Sequence, residues 1–151
     1  MSIMTNETEF RKAIVDEAME WINTPYKQCA RIKGVGVNCA QFLFGVAQAA
    51  GAIPEDAPEP RWYTPQLATH SKEERLIEYV KSYGATEVDK PQPGDIVLFK
   101  TGRSHGHAAI VVDWPGKIIH ALPPSGVQMG HAYEGRLGSF SRRYFTMWRA
   151  D

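Results

Sequence analysis

Cys39 is the first residue of this chain that could do chemistry, because Asn38, a good N-cap residue, precedes it and an apolar helical pattern follows. Unpaired N–H groups and the positive end of a helix dipole favour thiolate at such a position. A cysteine nucleophile also needs a base within reach and a third group to orient the base. His107 opens the run His107-Ala108-Ala109-Ile110-Val111-Val112, sharing a strand face with Ala109 and Val111, and His120 closes Lys117-Ile118-Ile119-His120. If these runs are neighbouring strands about 4.8 Å apart, the two imidazoles can meet. The grouping is then Cys39 as nucleophile, His107 as base and His120 orienting His107, with His105 the substitute base.

Other chemistry competes for the same residues. Cysteine is among the most often buried residue types, so an inert core Cys39 is the simplest alternative, and a Cys29–Cys39 disulfide is another. His105 and His107 flank Gly106 and could take a metal adventitiously, but no H-E-x-x-H or paired cysteines supply a zinc site, so no metal is expected. His70 and His131 read as solvated. Gly34-Val35-Gly36 is too short for a phosphate loop.

The elements that must position Cys39 and the histidines follow from periodicity. Asn6 and Glu9 open a capped helix with Phe10, Ile14, Ala18 and Trp21 on one face, stopped near Asn23-Thr24-Pro25. A glycine-containing loop, residues 31–37, leads to Asn38 and a second helix with Phe42, Leu43, Val46, Ala47 and Ala50 on one face, closed by Gly51 and Pro54. Residues 54–65, with four prolines, read as an extended surface connection pinned by Trp62 and Tyr63. Ser71 with Glu74 begins a third helix that turns Leu76, Ile77, Val80 and Tyr83 inward and ends at Gly84. Beyond Pro93-Gly94, five short apolar runs read as antiparallel strands: 96–99, 108–112, 117–121, 126–129 and 144–148, with a turn at Asp113-Trp114-Pro115-Gly116 between the second and third. Helices first and strands after predict an α+β fold, N-terminal helices packed to one side of a C-terminal antiparallel sheet.

Composition bounds the partners. With 151 residues, 43% of them hydrophobic, the chain supports one core and a single domain over 1–151 with no appended binding module. The 17 basic and 17 acidic side chains balance, so bulk charge selects neither nucleic acid nor anionic lipid, and no membrane-length apolar run predicts insertion. The start lacks a secretory signal, which predicts a product cytoplasmic when made.

Five blocks, in order, resemble the NlpC family of papain-like cysteine peptidases: Trp21-Ile22-Asn23-Thr24-Pro25-Tyr26, Gly34-Val35-Gly36-Val37-Asn38-Cys39, Pro93-Gly94-Asp95-Ile96-Val97-Leu98-Phe99, His107 to Val112, and Ile118-Ile119-His120-Ala121. The resemblance covers roughly residues 13 to 121. Lys33-Gly34-Val35-Gly36 and Glu73-Glu74-Arg75-Leu76 are similar to the phage-type branch. The resemblance implies a papain-like fold with Cys39 as nucleophile, His107 as base, His120 as the third residue, Tyr26 lining the site and the Cys39 N–H as oxyanion donor. It also implies hydrolysis of peptidoglycan stem peptides between γ-D-glutamate and a diamino acid, without a cofactor, by an enzyme delivered to the cell wall with a phage tail and its proteins. The family's Asp-Cys-Ser-Gly motif reads Asn38-Cys39-Ala40-Gln41 here. Asn38 and Ala40 therefore fall at substrate-binding positions without the aspartate's charge or the serine's hydroxyl, which implies altered substrate preference or a non-enzymatic tail component of the same fold. Trp62, Tyr63 and residues 131–142 are the segments that can cover the site.

Overall fold

The computed structural model describes residues 6–28, 30–57 and 72–149. Cys29, Trp62, Tyr63, His70 and Ser71, with the expectations attached to them, lie outside the described residues. The elements are α1 (Glu7–Glu20), β1 (Arg31–Ile32), β2 (Gly36–Val37), α2 (Cys39–Ala49), α3 (Arg75–Ser82), β3 (Thr86–Val88), β4 (Ile96–Lys100), β5 (His105–Asp113), β6 (Lys117–Leu122), β7 (Gly126–His131), a 3-10 turn (Gly135–Ser139) and β8 (Arg142–Thr146). β3 to β8 form a six-stranded antiparallel sheet in the order β3-β8-β4-β5-β6-β7.

Helix α1 forms as its pattern predicts. Asn6 Oδ1 accepts from the Glu9 N–H at 2.8 Å, and Phe10, Ile14 and Ala18 are buried. Arg11, on α1, reaches the turn before β4, where Nη1 donates to Asp95 Oδ1 at 2.7 Å and to the Pro93 carbonyl at 3.0 Å. The Pro93-Gly94-Asp95 string is thus a joint between helix and sheet.

Helix α2 departs from the amphipathic expectation. Every residue from Cys39 to Ala47 is buried, as a helix apolar on all sides must be. It packs on α1, β5 and β6. Gly45 is required there: a Cβ would lie 2.9 Å from the Trp21 ring.

The sheet also differs from the one-sided expectation. Ile96-Val97-Leu98-Phe99 is buried throughout because both faces of β4 are covered. Ile96 and Leu98 join the helical core, whereas Val97 and Phe99 join Ala109, Val111, Ile118 and Ala132 in a second cluster roofed by Trp114, Leu137, Phe140 and Tyr144. Residues 131–142 therefore close the face that the helices leave open.

Three element boundaries are corrected. The last strand begins at Arg142 rather than Tyr144, because Arg142 lies over the Phe99 ring and Arg143 pairs with Glu87, so both arginines have strand partners. β3, absent from the sequence reading, pairs with β8 at Thr86↔Thr146, Glu87↔Phe145 and Val88↔Tyr144. Helix α3 begins at Arg75, later than a Ser71–Glu74 cap requires, and Glu74 makes no capping bond.

Candidate active site

Residues 31–37, read as a loop, form a β1–β2 hairpin with Gly34 at φ 80° in its turn. β2 is also bonded to the segment before it: the Val37 N–H donates to the Pro25 carbonyl and the Lys27 N–H to the Val37 carbonyl, both at 3.0 Å. This double tie sets Tyr26 beside the start of α2. Asn38 caps that start, its Oδ1 accepting from the Gln41 N–H at 2.8 Å. The Gln41 side chain has its own use, accepting from Arg31 Nη1 at 2.7 Å and fixing β1 to α2.

Cys39, the first residue of α2, is a free thiol and buried. Its Sγ lies 3.7 Å from the Gly106 carbonyl, which accepts the thiol hydrogen. His107 follows on β5, its ring 5.9 Å from that of Phe99, and its Nε2 is 2.9 Å from His120 Nδ1 on β6. Strand alternation puts both imidazoles on the Phe99 face of the sheet, away from the helices. The thiol arrives from the helical face.

Thiol and imidazole share a space because β5 is irregular at its start. The β4–β5 register shifts between Phe99↔His107 and Lys100↔His105, so Gly106 is the extra residue of a bulge. The bulge turns His105 to the other side of the strand from His107. The β5–β6 ladder runs from Asp113↔Lys117 to Ile110↔Ile119, leaving residues 105–109 outside it. In that interval lies a cavity of about 560 Å³ lined by Tyr26, Cys39, Gly106, His107, Ala121 and Leu122 on one side and by Glu134, Arg136, Leu137 and Phe140 of the covering segment on the other.

Burial dominates the electrostatics. It pushes the Cys39 thiol up to about 11, against backbone N–H groups of Ala108, Ala40 and Cys39 itself that act to lower it. Burial thus opposes the lowering that the helix N-terminus was expected to give this thiol. His107 is pushed down to about 3, by burial and then by His120, and His120 down to about 4 by burial. Tyr26 is pushed up by burial and then by its proximity to Cys39. At neutral pH the site rests as a thiol beside two neutral imidazoles.

The structure therefore brings Tyr26, Cys39 and His107 to one cavity, with His120 bonded behind His107. It does not bring Asn38 or Ala40 there, although both were expected at the substrate: Asn38 is fully buried with Oδ1 committed to the cap, and Ala40 packs in the helical core. Asn38 Nδ2 is left without a hydrogen-bond partner. His131 is not a solvated loop residue but the end of β7, lining the cavity with Nδ1 accepting from the Tyr133 N–H. His105 is bonded to Glu74. Among the described residues no cluster of three His, Cys, Asp or Glu is arranged to hold a metal ion, and no helix is long and apolar enough to cross a membrane. Sequence reasoning missed Glu134 and Arg136, which no helical or strand period marks.

The family model of the CHAP domain matches residues 20–121. Among solved structures, the NlpC/p60 domain of the peptidoglycan hydrolase SagA superposes with a TM-score of 0.56 at 20% identity, over 90% of this chain and 97% of that one. An NlpC/p60 family protein from Bacillus cereus ATCC 10987 gives 0.60 at 19%, over 94% of this chain and 41% of that one. NlpC1 from Trichomonas vaginalis gives 0.61 at 12%, over 96% and 45%. The chain thus spans less than half the length of the latter two, and at these identities the likeness is one of fold. No curated protein matches. The papain-like, NlpC-type α+β architecture expected from the sequence is the one observed. With the family match running from the end of α1 through β6, across every strand and helix that bears the thiol and the imidazoles, this chain belongs to the CHAP domain family, on the NlpC/p60 fold.

Proposed function

We propose that the chain is a cysteine peptidase that hydrolyses peptidoglycan stem peptides by acyl transfer, cutting between γ-D-glutamate and a diamino acid. The observation that carries this reading is the 560 Å³ cavity shared by Cys39 and His107, with His120 2.9 Å behind His107. Membership of the CHAP domain family and the likeness to the SagA peptidoglycan hydrolase domain support the substrate class.

In this mechanism His107 Nδ1 takes the Cys39 proton as Sγ attacks the peptide carbonyl. For Nδ1 to be free to accept, Nε2 carries the ring hydrogen and donates it to His120 Nδ1, so His120 selects the tautomer. Because thiol and imidazole rest neutral where they are buried, the proton moves with the attack rather than before it. The Cys39 N–H, at the helix N-terminus, stabilises the tetrahedral oxyanion. Collapse expels the amine with the proton from His107. Water then gives its proton to His107 and attacks the thioester, regenerating Sγ–H. No cofactor enters. Tyr26 lines the cavity beside Cys39, and Arg136 and Glu134 offer charges at its rim.

The test is mass spectrometry of defined disaccharide-peptide fragments incubated with the parent and with Cys39→Ala. Cleavage by the parent alone, at the γ-D-glutamyl bond, is the expected result; cleavage by neither overturns the reading. The second reading, a non-enzymatic tail component of the same fold, is favoured by Asn38 and Ala40 at the nucleophile, and it predicts binding without turnover. Association with a phage or prophage tail, which the resemblance of residues 33–36 and 73–76 supports, is tested by looking for the chain in purified particles.

A further inference from the structure

Residues 105–109 of β5 pair with β4 on one side but lie outside the β5–β6 ladder on the other, and they carry both the Gly106 carbonyl and His107. At His105, the first residue of the strand, the added partner is Glu74. Its carboxylate accepts from the His105 N–H at 2.8 Å through Oε1 and lies 3.0 Å from His105 Nδ1 through Oε2. Glu74 immediately precedes α3, where a side chain ordinarily caps its own helix, and it makes no such bond. His105 is nearly enclosed, with a side chain 9% exposed, so the two bonds are held away from bulk water on one side. A two-point grip on one residue fixes both the position and the rotation of the strand there.

We infer that Glu74 is a positioning residue of the site: by gripping His105 it fixes the Gly106 bulge, and so sets the Gly106 carbonyl against the Cys39 thiol and His107 in the cavity. The inference rests on the peptidase reading for its activity arm. Glu74 is not among the residues that line the cavity, and its effect passes through His105, the residue before Gly106. Displacing a reacting group by about 1 Å can cost on the order of 100-fold in rate, so a partial loosening of the bulge is enough to be measured.

The experiment compares the parent with Glu74→Ala, Glu74→Gln and His105→Asn, reading kcat and KM on the peptide substrate, the pH profile of Cys39 alkylation by iodoacetamide, and Tm. Glu74→Ala is expected to lower kcat by about tenfold with KM within about twofold, and to move the midpoint of Cys39 alkylation by about half a pH unit or more. Glu74→Gln keeps an oxygen for the His105 N–H and is expected to recover part of both losses, and it carries the test if Glu74→Ala does not fold. Parental kcat and an unmoved alkylation profile in both Glu74 variants, even with a lowered Tm, would make Glu74 a structural bracket only and overturn the inference. If the parent hydrolyses nothing, the peptidase reading fails, while the alkylation profile still decides whether Glu74 positions the thiol.

Discussion

Gly130 lies against the far edge of His120, where a Cβ would stand 2.6 Å from Nε2. Its backbone suits alanine, since it is not among the glycines held at positive φ. Gly130→Ala must therefore push the His120 ring, which is buried and bonded to His107, rather than strain the chain. The expected outcome is a fall in kcat of about tenfold or more, with an overpacking cost of about 1–3 kcal/mol. Kinetics and chemical denaturation on one preparation check both; parental kcat would remove His120 from the mechanism.

The depressed histidines make the fold acid-labile. An unfolded histidine binds its proton near pH 6.5, whereas folded His107 and His120 do so only near about 3 and about 4. Between those limits the unfolded state holds more protons, so stability rises with pH; it is fully present above about 6.5 and is lost as pH falls through the folded values. Carboxylates titrate lower, which leaves about pH 6.5 to 5 as the diagnostic window. Tm is expected to drop across it in the parent and to flatten in a His107→Gln, His120→Gln double variant.

Burial sets the reactivity of the free enzyme's thiol. With Cys39 pushed up to about 11, its alkylation rate should keep climbing well past about pH 8.5, where an ordinary thiol levels off. Mass spectrometry of the Cys39 peptide after timed alkylation measures it. A plateau below pH 8 would mean that the helix N-terminus outweighs desolvation.

Arg142 holds the covering wall. Its guanidinium donates to the carbonyls of Ala132, Leu137 and Phe140 while lying 4.6 Å from the centre of the Tyr133 ring. A lysine cannot reproduce that fork. Arg142→Lys should loosen the wall and raise KM severalfold, with a smaller change in kcat, as steady-state kinetics would show.

The sequence was legible wherever one residue type had one job. Asn6 and Asn38 read as caps and are caps, the apolar strings read as core strands, and His107 and His120 met because the Asp113–Gly116 turn set their hairpin. It was illegible where a polar residue had a distant partner. Glu74 looked like a local cap but is committed to His105 across 31 positions. Arg142 and Arg143 looked like loop residues because their aromatic and acidic partners, Phe99 and Glu87, lie on other strands. Burial, which inverts the expected thiol chemistry of Cys39, is a property of the packed whole that no local window contains. Asn38 and Ala40 show the converse: a position beside Cys39 in sequence need not line the cavity that Cys39 lines.

Helix α2, sealed on every side, is among the last parts of this molecule to open. Its amides should exchange with solvent only through the largest unfolding events, whereas the 3-10 wall, none of whose residues is buried, should exchange through small local ones. Cys39 and the wall that faces it across the cavity are thus expected to belong to different cooperative units. Opening of the wall should thus be possible while the helix that carries the thiol stays in its native state.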